Sequence, residues 1–176
     1  MRLIVKVLAG FAVVAAALLL FGFALPRHVV VERETRIEAS AYRVFPHLKS
    51  MQAMAAWSPW LDRDPDVVVT YEGPEDGVGN RMTWASEHPQ VGHGSQEIVS
   101  SLENTMVETA LDFGPQGTAE AWLALEREEG GTIVTWGFIT DLGRNPISRW
   151  KGLMFDRWIG ADYELGLERL KALVET

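Results

Sequence analysis

Residues 145–176 constrain the fold more than any other part of the chain. Asn145-Pro146 precedes a region in which apolar residues recur every three or four positions, so we expect one helix from about Ile147 to the end. Its apolar residues form two rows: Trp150, Met154, Trp158, Ala161 and Leu165, and Phe155, Ile159, Tyr163, Leu167, Leu170 and Val174. Such a helix, about 40 Å long, needs a broad concave surface to pack against.

The segments before this helix have the alternating polarity of β-strands. One strand is predicted at residues 28–38, where apolar and charged residues alternate. Six more are predicted in a meander, at residues 67–72, 81–86, 94–102, 106–113, 119–127 and 132–140. Because strands and helices are segregated along the chain, the fold class is α+β with an antiparallel sheet of about seven strands.

Two short helices are predicted between the first strand and the meander. Ser40 is an N-cap candidate for the first, in which apolar residues follow the helical spacing from Ala41 to Leu48. Pro46 lies beyond the first turn, so it predicts a kink or an early stop. The second short helix contains Met51 and Met54.

An apolar run that begins at Leu3 and ends at Leu25 is interrupted only by Lys6. About 23 residues make a helix of roughly 35 Å, which matches a bilayer core with some tilt. The rival interpretation is a cleaved signal peptide, because the start is basic and residues 22–24 have small residues at the spacing of a cleavage site. The length of the run and Pro26 favour an uncleaved transmembrane anchor at residues 1–26, followed by one domain at residues 27–176.

Basic residues flank the apolar run on both sides and therefore orient it weakly. They are Arg2 and Lys6 before it and Arg27, Arg33 and Arg36 after it. An export-type insertion, with the domain outside the cytoplasm, is the prediction. Since so few residues separate the run from the first strand, the domain must lie close to the membrane surface.

Charge and cysteine content exclude several classes of function. Without Arg2 and Lys6, 14 basic residues remain against 24 acidic ones, so the domain carries a net charge of −10. Such a domain does not attract a phosphate backbone, and no nucleic acid partner is expected. The chain has no cysteine, which excludes disulfides, thiolate catalysis and thiolate metal sites.

Several local strings resemble those of a known superfamily. They are Trp57-Ser58-Pro59-Trp60, residues 71–74 leading to Gly77-Val78-Gly79, Trp84, and residues 130–136. With the order of elements, they are similar to the polyketide cyclase/dehydratase and lipid-transport branch of the SRPBCC, or START and birch-pollen-allergen, superfamily over about residues 28–175. The resemblance implies a helix-grip fold, in which the sheet wraps around the terminal helix and encloses a cavity for a hydrophobic or amphipathic ligand. It does not imply catalysis.

Large, adaptable apolar side chains are abundant, with 7 Trp and 6 Met, and such groups suit an irregular apolar cavity. Strand parity places Met82, Trp84, Val134, Trp136 and Phe138 on the inner face, and Met154 and Trp158 are expected to cover them from the helix. The predicted cavity-lining residues are these seven together with Trp57 and Trp60. The alternative is that these side chains simply fill a solid core.

No catalytic, cofactor-binding or metal-ligating residues are assigned. His88 and His93 lie in a loop and lack further ligands for a metal, and residues 92–95 do not form a nucleophile elbow. Glu97, Glu108 and Glu120 lie in strands, where an inward carboxylate could act as an acid or base and an outward one is solvated. Asp141, Arg144 and Asn145 either orient a polar ligand group or cap the helix and form a surface ion pair.

Three functions are compatible with these features. The favoured one is a membrane-anchored module that binds a hydrophobic small molecule or lipid, with residues 3–25 in the membrane and no cofactor. The second is an enzyme of the cyclase or dehydratase type, which needs an inward acid and base. The third is a regulatory protein that binds a protein partner, which would combine a filled interior with an exposed apolar patch.

Overall fold

The structure, a computed structural model, describes residues 2–176 apart from the side chain of Leu3; Met1, the first residue of the predicted anchor, lies outside the described residues. Seven strands form one antiparallel sheet: β1 (His28–Ile37), β2 (Val68–Glu72), β3 (Arg81–Ala85), β4 (His93–Leu102), β5 (Met106–Asp112), β6 (Thr118–Glu128) and β7 (Gly131–Asp141). The five α-helices of the described chain are α1 (Arg2–Gly22), α2 (Ala41–Val44), α3 (Met51–Ala55), α4 (Pro146–Gly152) and α5 (Phe155–Glu175).

The sheet has the order β1-β7-β6-β5-β4-β3-β2. Strands β2 to β7 form a meander of sequential neighbours, and β1 pairs antiparallel with β7, with Val31 opposite Phe138. The long helix α5 packs across the concave face of the sheet. The predicted α+β class and helix-grip architecture are therefore confirmed.

The short helices α2 and α3 close one end of the curved sheet. Helix α2 stops at Val44, and Pro46 lies in a single 3₁₀ turn that follows it, as expected for a proline beyond the first helical turn. The side chain of Ser40 makes no capping hydrogen bond. Ser50 caps α3 instead, because its side chain accepts a hydrogen bond from the Ala53 amide.

The prediction of one unbroken terminal helix is wrong. Asn145 does cap a helix at its predicted start, and its side chain accepts a hydrogen bond of 2.9 Å from the Ile147 amide. That helix, α4, ends at Gly152, where an added Cβ would lie 2.4 Å from Leu142 Cδ1 and 3.0 Å from Val29 Cγ2 and would displace these side chains. The Met154 amide then bonds to the Lys151 carbonyl, a 3₁₀-type contact, and α5 begins at Phe155.

Helix α5 buries only the second of the two predicted apolar rows. Tyr163, Leu167, Leu170 and Val174 are at most 3% exposed. Arg33 of β1 helps to fix the helix, because its guanidinium lies against Gly160 and binds the carboxylates of Asp156 and Glu164 at 3.0 and 2.6 Å. These contacts hold edge strand β1 against α5.

Helix α1 projects from the domain and is largely exposed until its last residue, Gly22, which is buried. Its segment Ile4–Gly22 is apolar enough to cross a membrane. A membrane span and a signal sequence both have this character. Its carboxyl-terminal end packs against α4, where the Phe21 and Trp150 rings lie 5.8 Å apart.

Candidate functional site

A cavity of about 800 Å³ lies between the concave face of the sheet and the first half of α5. Its lining comes from α3 and the segment after it, from β3 to β7, and from α4 and α5. Within residues 2–176, its lining extends along α5 from Phe155 to Tyr163 and no further. The second half of α5 is packed against buried side chains instead.

Seven of the nine predicted cavity residues line this space: Trp57, Trp60, Met82, Trp84, Trp136, Phe138 and Trp158. The inner-face placement from strand parity agrees with the burial of Met82, Trp136 and Phe138, which are 7–8% exposed. Whether these residues hold a ligand stays a prediction.

The other two predicted residues lie outside the cavity lining. Val134 is on the inner face but is fully buried in the core. Met154 was expected to cover the interior, and this is wrong: it lies at the break between α4 and α5 and is 38% exposed. Trp158, in the first turn of α5, lines the cavity while 54% of its surface is exposed.

An aromatic cluster separates the cavity from the solid core. The Trp136 and Tyr163 rings are stacked with centroids 3.9 Å apart, and Trp57 meets Trp136 edge-on at 4.9 Å. Gly166 lies under the Trp136 ring, where an added Cβ would come within 2.6 Å of it. The Trp57 indole N–H donates to the His47 carbonyl at 3.0 Å, so the cluster is tied to the short helices.

Trp84 and Phe113 form a second aromatic pair on the opposite side of the cavity. Their centroids are 6.0 Å apart at an interplanar angle of 66°. The Trp84 ring lies over Gly94 of the neighbouring strand, with no space for a Cβ, and its N–H donates to the Val91 carbonyl at 3.2 Å. The ring is therefore held in place from two sides.

The polar lining was not predicted from the sequence. Gln96 donates to the Thr109 hydroxyl at 2.9 Å across β4 and β5, and both side chains line the cavity. Strand parity was the signal that could have identified Gln96 as a lining residue. Gln96 precedes the outward-facing Glu97 and is paired across the sheet with Leu111 and Met82, which lie on the inner face.

Two further polar groups line the cavity without a protein partner. The Tyr163 hydroxyl and the Trp136 indole N–H make no hydrogen bond to any group of the described chain, although the two residues are only 3% and 7% exposed. Burial raises the pKa of the Tyr163 hydroxyl above its usual range. It therefore stays protonated at neutral pH and can donate a hydrogen bond.

The carboxylates near the cavity are bound to arginines. Asp162 pairs with Arg63, whose guanidinium also lies 5.0 Å from the Trp60 ring.

Asp141 binds the Arg27 guanidinium, which together with the Gly143 amide lowers the pKa of the Asp141 carboxyl. Of the residues Asp141, Arg144 and Asn145, Asn145 caps α4, and Asp141 forms a surface ion pair with Arg27 and not with Arg144. Asp141 also lines the cavity, so that contact with a polar ligand group stays a prediction.

The remaining candidates from the sequence lie away from the cavity. Glu97, Glu108 and Glu120 alternate with the buried or inward residues of their strands and so lie on the outer face of the sheet. His93 is exposed at the start of β4. In the part of the chain that the structure describes, no three acidic or histidine side chains come together as a metal site.

Solved structures with the same fold include a protein from Chromobacterium violaceum, with TM-score 0.60 and 14% identity, covering 84% of this chain and 99% of that one. A Staphylococcus aureus protein of unknown function has TM-score 0.63 at 13% identity, over 84% and 94% of the two chains. The di-domain ARO/CYC protein StfQ of the steffimycin biosynthetic pathway has TM-score 0.62 at 13% identity, over 84% of this chain and 51% of its own. At such identities the likeness concerns the fold alone.

No curated protein matches the sequence. The family model described as polyketide cyclase / dehydrase and lipid transport matches residues 28–175, which is nearly the whole domain after α1. The resemblance inferred from the sequence is thus confirmed. The chain belongs to the polyketide cyclase/dehydrase and lipid transport family.

Proposed function

We propose that this protein is a membrane-anchored binding protein that holds a hydrophobic or amphipathic small molecule, or a lipid, between its sheet and α5. The observation that carries the proposal is an apolar cavity of about 800 Å³ that its aromatic side chains leave unfilled. Binding pockets for small molecules have volumes of roughly 300–1,000 Å³ and are lined mainly by apolar and aromatic groups.

The two unpartnered donors indicate what kind of ligand fits. Neither donor is fully enclosed by protein atoms, and both residues line the cavity, so a ligand oxygen could accept from the Tyr163 hydroxyl, the Trp136 indole N–H, or both. Gln96 and Thr109 add a second, already paired polar group. We therefore expect a mainly apolar molecule with one carbonyl, ether or hydroxyl oxygen near the stacked rings.

The ionisable groups of the lining favour binding over acid–base catalysis. An acid or base catalyst works best with a pKa near the operating pH, whereas the pKa of Asp141 is lowered and that of Tyr163 is raised. Asp162 is held by Arg63, and an arginine does not give up a proton in proteins. Proton transfer at neutral pH thus lacks a suitable group among these residues.

The contacts of α1 support its retention as an anchor. The Arg149 guanidinium donates to the carbonyls of Phe23 and Leu25 at 2.8 and 3.2 Å, and the Trp150 indole donates to that of Leu18 at 3.1 Å. Cleavage at the predicted signal-peptide site would remove part of this interface. The extracytoplasmic position of the domain stays a prediction of the sequence.

The proposal is tested by native mass spectrometry of the full chain, extracted gently from its host membrane. We expect a noncovalent adduct of one small molecule that is released on collisional activation. The Leu111→Phe variant, with a larger side chain on the cavity wall, should lose most of the adduct. The matched control Leu102→Phe alters an exposed residue outside the lining and should keep it. Protein that is empty in repeated preparations, or adduct that both variants retain, would contradict binding in this cavity.

A further inference from the structure

We propose that residues 144–158, termed the elbow, lie in the headgroup layer of the bilayer that holds α1, and that the cavity therefore opens toward lipid. The elbow contains α4, the break after it and the first turn of α5. This inference rests on the proposed anchoring through α1 and adds a second membrane contact to it.

The first observation is that the elbow is locked to the end of α1. An added Cβ on Gly22 would lie 2.7 Å from Pro146 and 3.0 Å from the Trp150 indole nitrogen, so the two helices meet at closest approach. The Arg149 guanidinium donates to the carbonyls of Phe23 and Leu25, in the turn that follows α1. The height of the elbow along α1 is thereby fixed.

That height corresponds to the boundary of the hydrocarbon layer. The Trp150 indole donates to the Leu18 carbonyl, four residues before the end of α1 at Gly22, which is about 6 Å along a helix. If the apolar run of α1 spans the bilayer, its last turn lies at the lipid–water boundary. Helix α4 lies beside that last turn and must occupy the same layer.

The second observation is the composition of the elbow surface. Ile147, Leu153, Met154 and Trp158 are 55%, 54%, 38% and 54% exposed. Four large apolar side chains on one short segment are costly in water but typical of helices that lie in a membrane interface, where tryptophan is also enriched. Within the described chain, no other segment covers them.

The third observation is the charge of the elbow. It contains the basic residues Arg144, Arg149, Lys151 and Arg157 against the single acid Asp156, a net charge of +3 in a chain of net charge −8. Asp156 is paired with Arg33, and none of the four basic side chains forms an ion pair within residues 2–176. A basic segment next to a membrane attracts anionic lipid headgroups.

The elbow also forms part of the cavity wall. Ser148, Phe155 and Trp158 belong to both the elbow and the lining. An apolar ligand that passes between the cavity and the membrane at this point never crosses water. The elbow is thus a route for exchange with the bilayer, and the anchor holds that route at the right depth.

The test uses site-directed nitroxide labels on the full chain in nanodiscs, because the chain has no native cysteine. Labels at Ile147→Cys and Leu153→Cys report on the elbow. Val68→Cys, 65% exposed in β2 at the far edge of the sheet, is the aqueous control. Leu20→Cys, 71% exposed on α1, reports on the anchor.

The measurement is the accessibility of each label to oxygen, which partitions into lipid, relative to a water-soluble nickel chelate. We expect oxygen-to-nickel ratios at 147 and 153 that are several-fold higher than at 68 and similar to that at 20, because Leu20 lies in the last turn of α1, at the same depth as the elbow. Ratios at 147 and 153 equal to that at 68, with a high ratio at 20, would overturn the elbow proposal and leave the anchor intact. An aqueous ratio at 20 as well would overturn anchoring itself, whereas cavity binding is judged separately by mass spectrometry.

The lipid composition provides a second arm. Changing phosphatidylcholine nanodiscs to a mixture with phosphatidylglycerol should move the labels at 147 and 153 deeper, and Lys151→Gln should reduce that shift. An attraction of about 1 kcal/mol per basic residue corresponds to about a fivefold change in the population at the surface. Labels at 147 and 153 that stay aqueous in both lipid mixtures would contradict the inference.

Discussion

The two halves of α5 have the same apolar spacing but different surroundings. Up to Tyr163 the helix borders a cavity, and Phe155 and Ile159 are only partly buried. Beyond Tyr163 the same periodicity continues through Leu167, Leu170 and Val174, which are at most 3% exposed and belong to the solid core. The stacked Trp136 and Tyr163 rings mark the boundary between the two halves.

The difference shows that an apolar helical face does not reveal what lies opposite it. The second half belongs to the buried apolar cluster that also contains side chains of the short helices, among them Val44 and Leu48. The first half faces the middle of the sheet, which curves away from the helix. Stability and ligand binding are therefore expected to depend on different halves of one helix.

The largest predicted difference is between matching truncations of the two halves. Leu170→Ala should destabilise the protein by about 2–5 kcal/mol, because it creates a void in close-packed core. Ile159→Ala removes the same number of carbon atoms next to existing empty space and should cost about 1 kcal/mol. Chemical denaturation of both variants measures the contrast. Equal losses would mean that the first half is packed as tightly as the second.

Enlarging a side chain should give a contrast in the same direction with a smaller effect. Leu170→Phe should destabilise the protein by about 1–3 kcal/mol, because a packed core does not accommodate the added volume. Leu111→Phe projects into the cavity and should change stability by less than about 1 kcal/mol while displacing the bound molecule. Thermal unfolding provides the readout, and a severe loss of stability in Leu111→Phe would indicate that the cavity is occupied by protein atoms.

Alkaline pH should lower the stability of the protein through Tyr163, which lies at the boundary between the two halves of α5. The pKa of Tyr163 is raised in the folded protein, whereas an unfolded tyrosine ionises near pH 10. Its contribution to stability is thus complete below about pH 10 and is lost as the pH rises further, at about 1.4 kcal/mol per pH unit. Denaturation between pH 9 and 11 should show a shallower loss for Tyr163→Phe. Identical slopes for the two proteins would rule out a protonated, buried hydroxyl.

The smallest change in stability is expected for Tyr163→Phe at neutral pH. Tyr163→Phe removes a hydroxyl without a protein partner, so the empty protein should change by at most about 1 kcal/mol and become more stable if it changes. The affinity for the copurified molecule should nevertheless fall, as measured by competition in native mass spectrometry. Tyr42→Phe is the matched control, because Tyr42 is 75% exposed and lies outside the cavity lining. Unchanged affinity in Tyr163→Phe would remove this hydroxyl from the binding site.

Much of the fold was predictable because local signals agreed with the tertiary structure. The alternation in residues 28–38 and 132–140 led to β1 and β7, and the effect of Pro46 was apparent from its position. The break after Gly152 was not predictable, since the helical periodicity continues across it. Gly152, the last residue before the break, packs against the Leu142 side chain, a tertiary contact that local periodicity does not reveal.

The candidate site was predictable in part for the same reason. Parity placed Met82, Trp84, Trp136 and Phe138 on the inner face, because a strand fixes which face each residue occupies. Met154 was misplaced, because its direction depends on the break. Tyr163 was assigned to the apolar row, and only the structure reveals that its hydroxyl lacks a partner.

The most direct test of the difference between the halves is photolabelling of the full chain in nanodiscs with a diazirine-bearing fatty acid, followed by peptide mapping of the crosslinked residues. The account predicts crosslinks in α1, on the cavity-facing strands and between Phe155 and Tyr163, with none from Leu167 to the end of α5. Crosslinks spread along all of α5, or confined to α1, would contradict an open first half and a solid second half.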